Sequence, residues 1–118
     1  MSTPNMNKTY TVTIANGASL SDSSGLFEGA YRLVGYMLDS AWDTNAISFQ
    51  GSADGSTFAN VYDEASEYSQ AGVTASSYHS VKVDAFLPLR ALKVRSGTAA
   101  AAVNQAGATV ITLFCLAI

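Results

Sequence analysis

Ala46-Ile47-Ser48-Phe49-Gln50-Gly51-Ser52-Ala53-Asp54-Gly55-Ser56-Thr57-Phe58-Ala59-Asn60-Val61-Tyr62 reads as two strands folded back on one another. Ile47 and Phe49 fall on one face and Ser48 and Gln50 on the other, the two-residue period of a strand with one dry and one wet side. Asp54-Gly55 then supplies the turn, because glycine takes a positive φ without steric cost and Asp-Gly between two strand patterns is a strong hairpin signal. Phe58 to Tyr62 is the returning strand.

The same alternation extends outward in both directions. Toward the N-terminus, Tyr31-Arg32-Leu33-Val34-Gly35-Tyr36-Met37-Leu38 is apolar on both faces and reads as a central strand, whereas Thr9-Tyr10-Thr11-Val12-Thr13-Ile14-Ala15 alternates threonine with apolar residues and is half-buried. Between them, residues 17–29 have the Ser and Gly content of a loop or an irregular sheet edge. Toward the C-terminus, residues 63–78 lack periodicity and make an acidic connection that crosses between sheets. His79 to Asp84 and Ala91 to Ser96 alternate again, and Ala85-Phe86-Leu87-Pro88-Leu89 is too short and proline-interrupted for an ordinary helix. The four alanines 99–102 span barely one turn and fit a hairpin loop better than a helix. Thr109 to Ile118 is apolar on both faces, so it pairs on both sides or lies beneath a partner. Seven strands result, eight if part of 17–29 joins a sheet edge. The expectation is an all-β, antiparallel, jelly-roll-like β-sandwich: one domain over 9–118, preceded by an N-terminal arm over 1–8.

Six Lys and Arg against nine Asp and Glu give a net charge of −3, which argues against partners bound through phosphates: no nucleic acid and no membrane surface is expected. Only 13% of the residues are charged, about half the usual share, so much of the surface is expected to be covered in an assembly. The charges are also divided. Residues 20–70 hold eight acids and Arg32 alone, whereas Lys82, Arg90, Lys93 and Arg95 face only Asp84 beyond residue 71. The two halves can pair within one molecule or orient neighbouring copies. The opening residues carry no apolar stretch and read as neither signal peptide nor membrane span, so synthesis in a cytoplasm is expected.

No set of residues reads as catalytic, metal-binding or cofactor-binding. His79 is the single imidazole and no Gly-x-Ser-x-Gly elbow accompanies it. Asp63, Glu64 and Glu67 match no calcium-loop spacing and read as a solvated acidic loop. There is no phosphate loop or dinucleotide fingerprint, and Cys115, the single cysteine, sits in an apolar run as a small hydrophobe. What remains is aromatic: Trp42, Tyr62, Tyr68 and Tyr78 lie at strand ends or in loops. Exposed, they would make interface anchors or a platform on which a sugar ring stacks. Packed, Trp42 would close one end of the core.

The block from Trp42 through Ile47-Ser48-Phe49-Gln50-Gly51-Ser52-Ala53-Asp54-Gly55-Ser56-Thr57-Phe58 to Val61-Tyr62-Asp63, with Leu92-Lys93-Val94-Arg95-Ser96-Gly97-Thr98, resembles a widespread group of small structural proteins of tailed phages and prophages. It departs from them before the tryptophan, where many have a proline and this chain reads Met37-Leu38-Asp39-Ser40-Ala41. The Ser-x-Asp-Gly turn is also similar to one in discoidin-type carbohydrate-binding jelly rolls, which bears on fold more than on function. The resemblance implies a virion component made in the host cytoplasm: a capsid decoration or cement protein that binds the major capsid protein as a homo-oligomer, with a trimer favoured. The alternative is a carbohydrate-binding module of a head or tail fibre that mediates host attachment.

Overall fold

The computed structural model describes residues 7–117. Ten strands follow one another: β1 (Asn7–Ile14), β2 (Tyr31–Leu38), β3 (Ala46–Ser52), β4 (Ala59–Asn60), β5 (Tyr62–Asp63), β6 (Ser66–Glu67), β7 (Ser69–Ala71), β8 (Tyr78–Ser80), β9 (Ala91–Ser96) and β10 (Thr109–Ala117). A single 3-10 turn, Val83–Phe86, lies between β8 and β9.

One sheet has the order β1-β10-β2-β8, antiparallel throughout. The other is built on β3, with β9 along one side and β4 and β7 placed end to end along the other. The far edge of β9 is covered by residues 19–27, which run antiparallel to it. The N–H groups of Ser21, Ser24 and Phe27 donate to the carbonyls of Val94, Leu92 and Arg90. In return, Val94 and Leu92 donate not to backbone carbonyls but to the hydroxyls of Ser21 (2.8 Å) and Ser24 (3.0 Å). The serines stand in for carbonyls that this irregular segment turns elsewhere. Counting it as a strand, and β4 with β7 as one position, two four-stranded sheets face each other. The chain alternates between them as a jelly roll does. The fold class is all-β, with antiparallel sheets packed against one another, and the segment 17–29 supplies the eighth strand position.

The interior explains why β2 reads as apolar on both faces. Cys115 of β10 stands opposite Leu33 and Phe114 opposite Gly35, so Val34 is an extra residue in a β-bulge. The bulge shifts the alternation by one, and Leu33 enters the core together with Tyr36 and Leu38. Between the sheets, Tyr36 meets Phe49 edge-on (ring centroids 5.7 Å), and Phe49 and Tyr68 both pack edge-on against Phe86 (5.2 and 5.1 Å). Ile14, Ile47, Leu92, Val94, Ile111 and Leu113 complete the packing.

Several details differ from the sequence reading. The first strand begins at Asn7 rather than Thr9, and the rest of the expected arm, 1–6, lies outside the described residues. The returning strand breaks at Val61, whose N–H bonds to Phe49 O, and the connection after it contains β6 and β7. The chain changes sheet only after β7, which still pairs with β3. The strand expected over 79–84 ends at Ser80, and Val83 enters the 3-10 turn. Residues 97–107 do not join paired strands: β9 and β10 belong to opposite sheets, and the loop folds on itself through a Gly97–Ala102 bridge as it crosses. Buried Gln105 pins this crossing. Its side-chain oxygen accepts from Asp43 N–H (3.1 Å) and Thr109 Oγ1, and its amide donates to Ser96 Oγ (2.8 Å) and Thr44 Oγ1.

Candidate interaction surface

Residues that alternate away from the core on β1-β10-β2-β8 cover the outer face of that sheet. In register across it run Thr11, Thr112, Met37 and Tyr78 in one row and Thr9, Phe114, Gly35 and Ser80 in the next. Val110 and Leu116 flank these rows on β10. The two rows contain no charged side chain, and Met37, Tyr78, Val110 and Leu116 are exposed. Gly35 has a packing role here: a Cβ at that position would fall 2.1 Å from the Tyr78 hydroxyl. The Tyr78 ring therefore lies over bare backbone, edge-on to Phe114 with centroids 5.5 Å apart. Beside it, Asn7, Thr9, Val34, Tyr78, Phe114, Cys115 and Leu116 line an open groove of 470 Å³. Burial pushes the Cys115 thiol up to about 12, so at neutral pH it is a neutral apolar group of the core behind the groove.

The other sequence candidates are dispersed. Trp42 is 4% exposed; it packs into the core cluster and its indole N–H donates to Thr44 O at 2.6 Å, which leaves no ring face for a ligand. Tyr68 is half-buried against the core: its hydroxyl accepts from Gln70 Nε2 (3.0 Å) and from Lys82 N–H (2.8 Å), while the same Gln70 accepts from the Tyr36 hydroxyl. Tyr62 and Tyr78 are exposed, 51% and 53%, but Tyr62 lies in a small hairpin of β5 and β6 apart from the two main sheets, and Tyr78 on β8. Asp54 and Gly55 form the predicted turn. Gly55 has φ +84°, and the Asp54 carboxylate accepts from the N–H groups of Thr57 and Ser56 and from Ser52 Oγ. These bonds, the Thr57 one foremost, pull its carboxyl down to about 2.

The chemistry-bearing side chains are engaged with one another. His79 Nε2 lies 2.8 Å from Ser77 Oγ, a spacing that a nucleophile and its base would share. Ser77, however, directs its one hydroxyl proton to Thr74 O, so its oxygen accepts from His79 and the proton runs in the wrong sense for activation. Asp63 pairs with Lys82 at 2.8 Å and Glu67 with Arg95 at 3.3 Å, and no group of His, Cys, Asp and Glu suited to a metal occurs among the described residues. Buried Arg95 also donates to Asn60 Oδ1 at 2.7 Å. Lys93 lies over the Phe58 ring and Arg90 donates to Phe27 O. All four cations of the C-terminal half are thus used inside the molecule, and two of them meet acids of the other half. The sequence pointed to the last strand as a surface needing cover. It did not point to Met37 or Gly35, because the bulge that turns them outward leaves no signature in apolar periodicity.

By sequence, the chain matches no family model and no curated protein. By structure, it is similar to the SPBc2 prophage-derived protein YomS, with TM-score 0.52 and 9% identity over 98% of this chain and 99% of that one. A second similar structure is the Yersinia pseudotuberculosis-derived mitogen, with TM-score 0.41 and 13% identity over 98% of this chain and 88% of that one. At this identity the likeness to YomS concerns the fold, which the two share from end to end.

Proposed function

We propose that this chain is a structural component of a bacteriophage virion, a decoration protein that sits on the capsid and cements the major capsid protein. The observation that carries the reading is the outer face of β1-β10-β2-β8, where Met37, Tyr78, Val110 and Leu116 stand exposed and the two central rows, with their threonines, carry no charge, Arg32 and Asp39 lying only at the flanking rows. A face of this kind gains by being covered, and rows without charge suit a broad, flat contact that needs no chemical step and no cofactor. The resemblance of the block from Trp42 to Tyr62 to phage structural proteins supports the same reading, as does the fold shared with a prophage-derived protein. The protein would act as a homo-oligomer on the particle surface.

The test is co-sedimentation with capsid shells that lack the protein. Wild type should pellet with the shells and raise their disruption temperature, and a Met37→Lys/Val110→Lys double variant should lose both effects while keeping its own melting temperature. Retained binding by the double variant would remove the face from the interface, and a wild type that ignores shells would end the reading. The carbohydrate alternative keeps the exposed rings of Tyr62 and Tyr78, the latter beside the groove, since Trp42 is buried and Tyr68 is half-buried with its hydroxyl engaged. It predicts glycan binding that Tyr78→Ala abolishes.

A further inference from the structure

The free edge of β1 is an eight-residue strand paired only with β10. At its C-terminal end the edge is closed: the Thr13 N–H donates to Asp22 Oδ1 (2.8 Å), and the Thr13 carbonyl accepts from the Asp22 N–H (3.1 Å). Those bonds show which way Thr13 directs its backbone groups. Alternate residues of an antiparallel strand direct both groups to the same side. Thr11 and Thr9 therefore point their N–H and C=O outward too, and no described group meets them. Two donors and two acceptors are presented at fixed spacing, with Tyr10 midway between them.

From this geometry we infer that β1 pairs antiparallel with β1 of a second copy about a two-fold axis at Tyr10. Thr9 then faces Thr11 of the other copy and Thr11 faces its Thr9. Each pair exchanges two N–H···O=C bonds, and the two copies satisfy all of these edge groups mutually. The same pairing sets Lys8 against Val12, so no like charges are opposed, and Lys8 is already neutralised by Glu28 of its own chain at 2.6 Å. Facing threonines are a favourable cross-strand combination. Asp22 limits the ladder by occupying the place beside Thr13, which fixes the register. Pairing joins the two copies into one continuous eight-stranded sheet. The threonines of both β1 strands extend the uncharged central rows of the outer face across the junction, and the assembly unit is a dimer in place of the trimer that the phage resemblance implies. The pairing does not depend on capsid binding, and its test contains no capsid.

The experiment is sedimentation equilibrium of the full chain over a range of concentrations, alongside Thr11→Pro. Proline at this position removes an outward N–H and leaves the β10 ladder intact, because Thr11 directs its backbone groups away from β10. Wild type should show a monomer–dimer equilibrium, and Thr11→Pro should weaken it by at least about tenfold, since one bond is lost from each copy. Should the proline variant misfold, amide exchange in wild type decides: the Thr9 and Thr11 amides should gain protection as concentration rises, and other exposed amides should not. A wild type that stays monomeric, a Thr11→Pro variant that dimerises as well as wild type, or association without protection of those two amides would each overturn the inference.

Discussion

At the scale of single residues, the turn at Asp54 shows how a short sequence signal becomes a measurable property. Asp54-Gly55 was readable as a hairpin because glycine takes the positive φ found there without steric cost. The role of the aspartate follows from its three donors, whose bonds to the ionised carboxylate hold its acidity near 2. The carboxyl is depressed relative to the unfolded chain, where an aspartate titrates near about 4. Its contribution to stability is therefore complete above about pH 4 and is lost as pH falls toward about 2. Asp54→Asn should be less stable than wild type at neutral pH, and the gap between the two should close by about pH 2. Acid titration of the two melting temperatures checks this, and a gap that stays constant down to that pH would assign the effect to turn geometry instead of charge. Other single residues were not legible in this way. Trp42 and Tyr68 carry the same polar tips that a binding platform would use, and only the partners found by those tips, Thr44 O, Gln70 and Lys82, decide that they face inward.

At the scale of elements, strands with clean alternation were legible and irregular ones were not. Ala91 to Ser96 and Ala46 to Gln50 keep a strict period, and each lies within one strand. Residues 19–27 alternate with nothing, because their pairing with β9 runs partly through side chains. That substitution gives Ser21 and Ser24 the work of backbone carbonyls and makes it testable. Ser21→Ala would leave the buried Val94 N–H without an acceptor, at a cost of about 1–3 kcal/mol. Ser24→Ala, at a half-buried position where water can replace the hydroxyl, should cost about 1 kcal/mol or less. Urea unfolding of both variants measures the difference, and equal, negligible losses would mean that the serines only follow the segment's path. The bulge in β2 was hidden for a related reason. A strand that is apolar on both faces gives the same sequence pattern whether it lies between two layers or shifts phase midway. The register opposite β10 separates these cases and sends Leu33 and Tyr36 into the same core.

At the scale of the whole molecule, the charge division in the sequence and the bare outer face lead to one physical consequence. The acid-rich and base-rich halves could have formed patches for neighbouring copies. Instead Lys82 and Arg95 bind Asp63 and Glu67 within the chain, and Lys93 and Arg90 are held by a ring and a carbonyl. No cation of the C-terminal half is left to steer association, while the proposed contact face carries no charge in its central rows. Docking on a shell through that face would be driven by removal of apolar area from water, a term that salt does not screen. Binding should therefore be nearly unchanged between low salt and about 1 M, where the screening length falls to about 3 Å and attraction between exposed charges is lost. It should also weaken on cooling, since apolar burial near room temperature is driven by entropy. A steep fall in shell binding with added salt would point to the remaining acids, Asp22, Asp39, Asp43 and Asp84 among them, as the contact. The face on β1-β10-β2-β8 would then need another occupant.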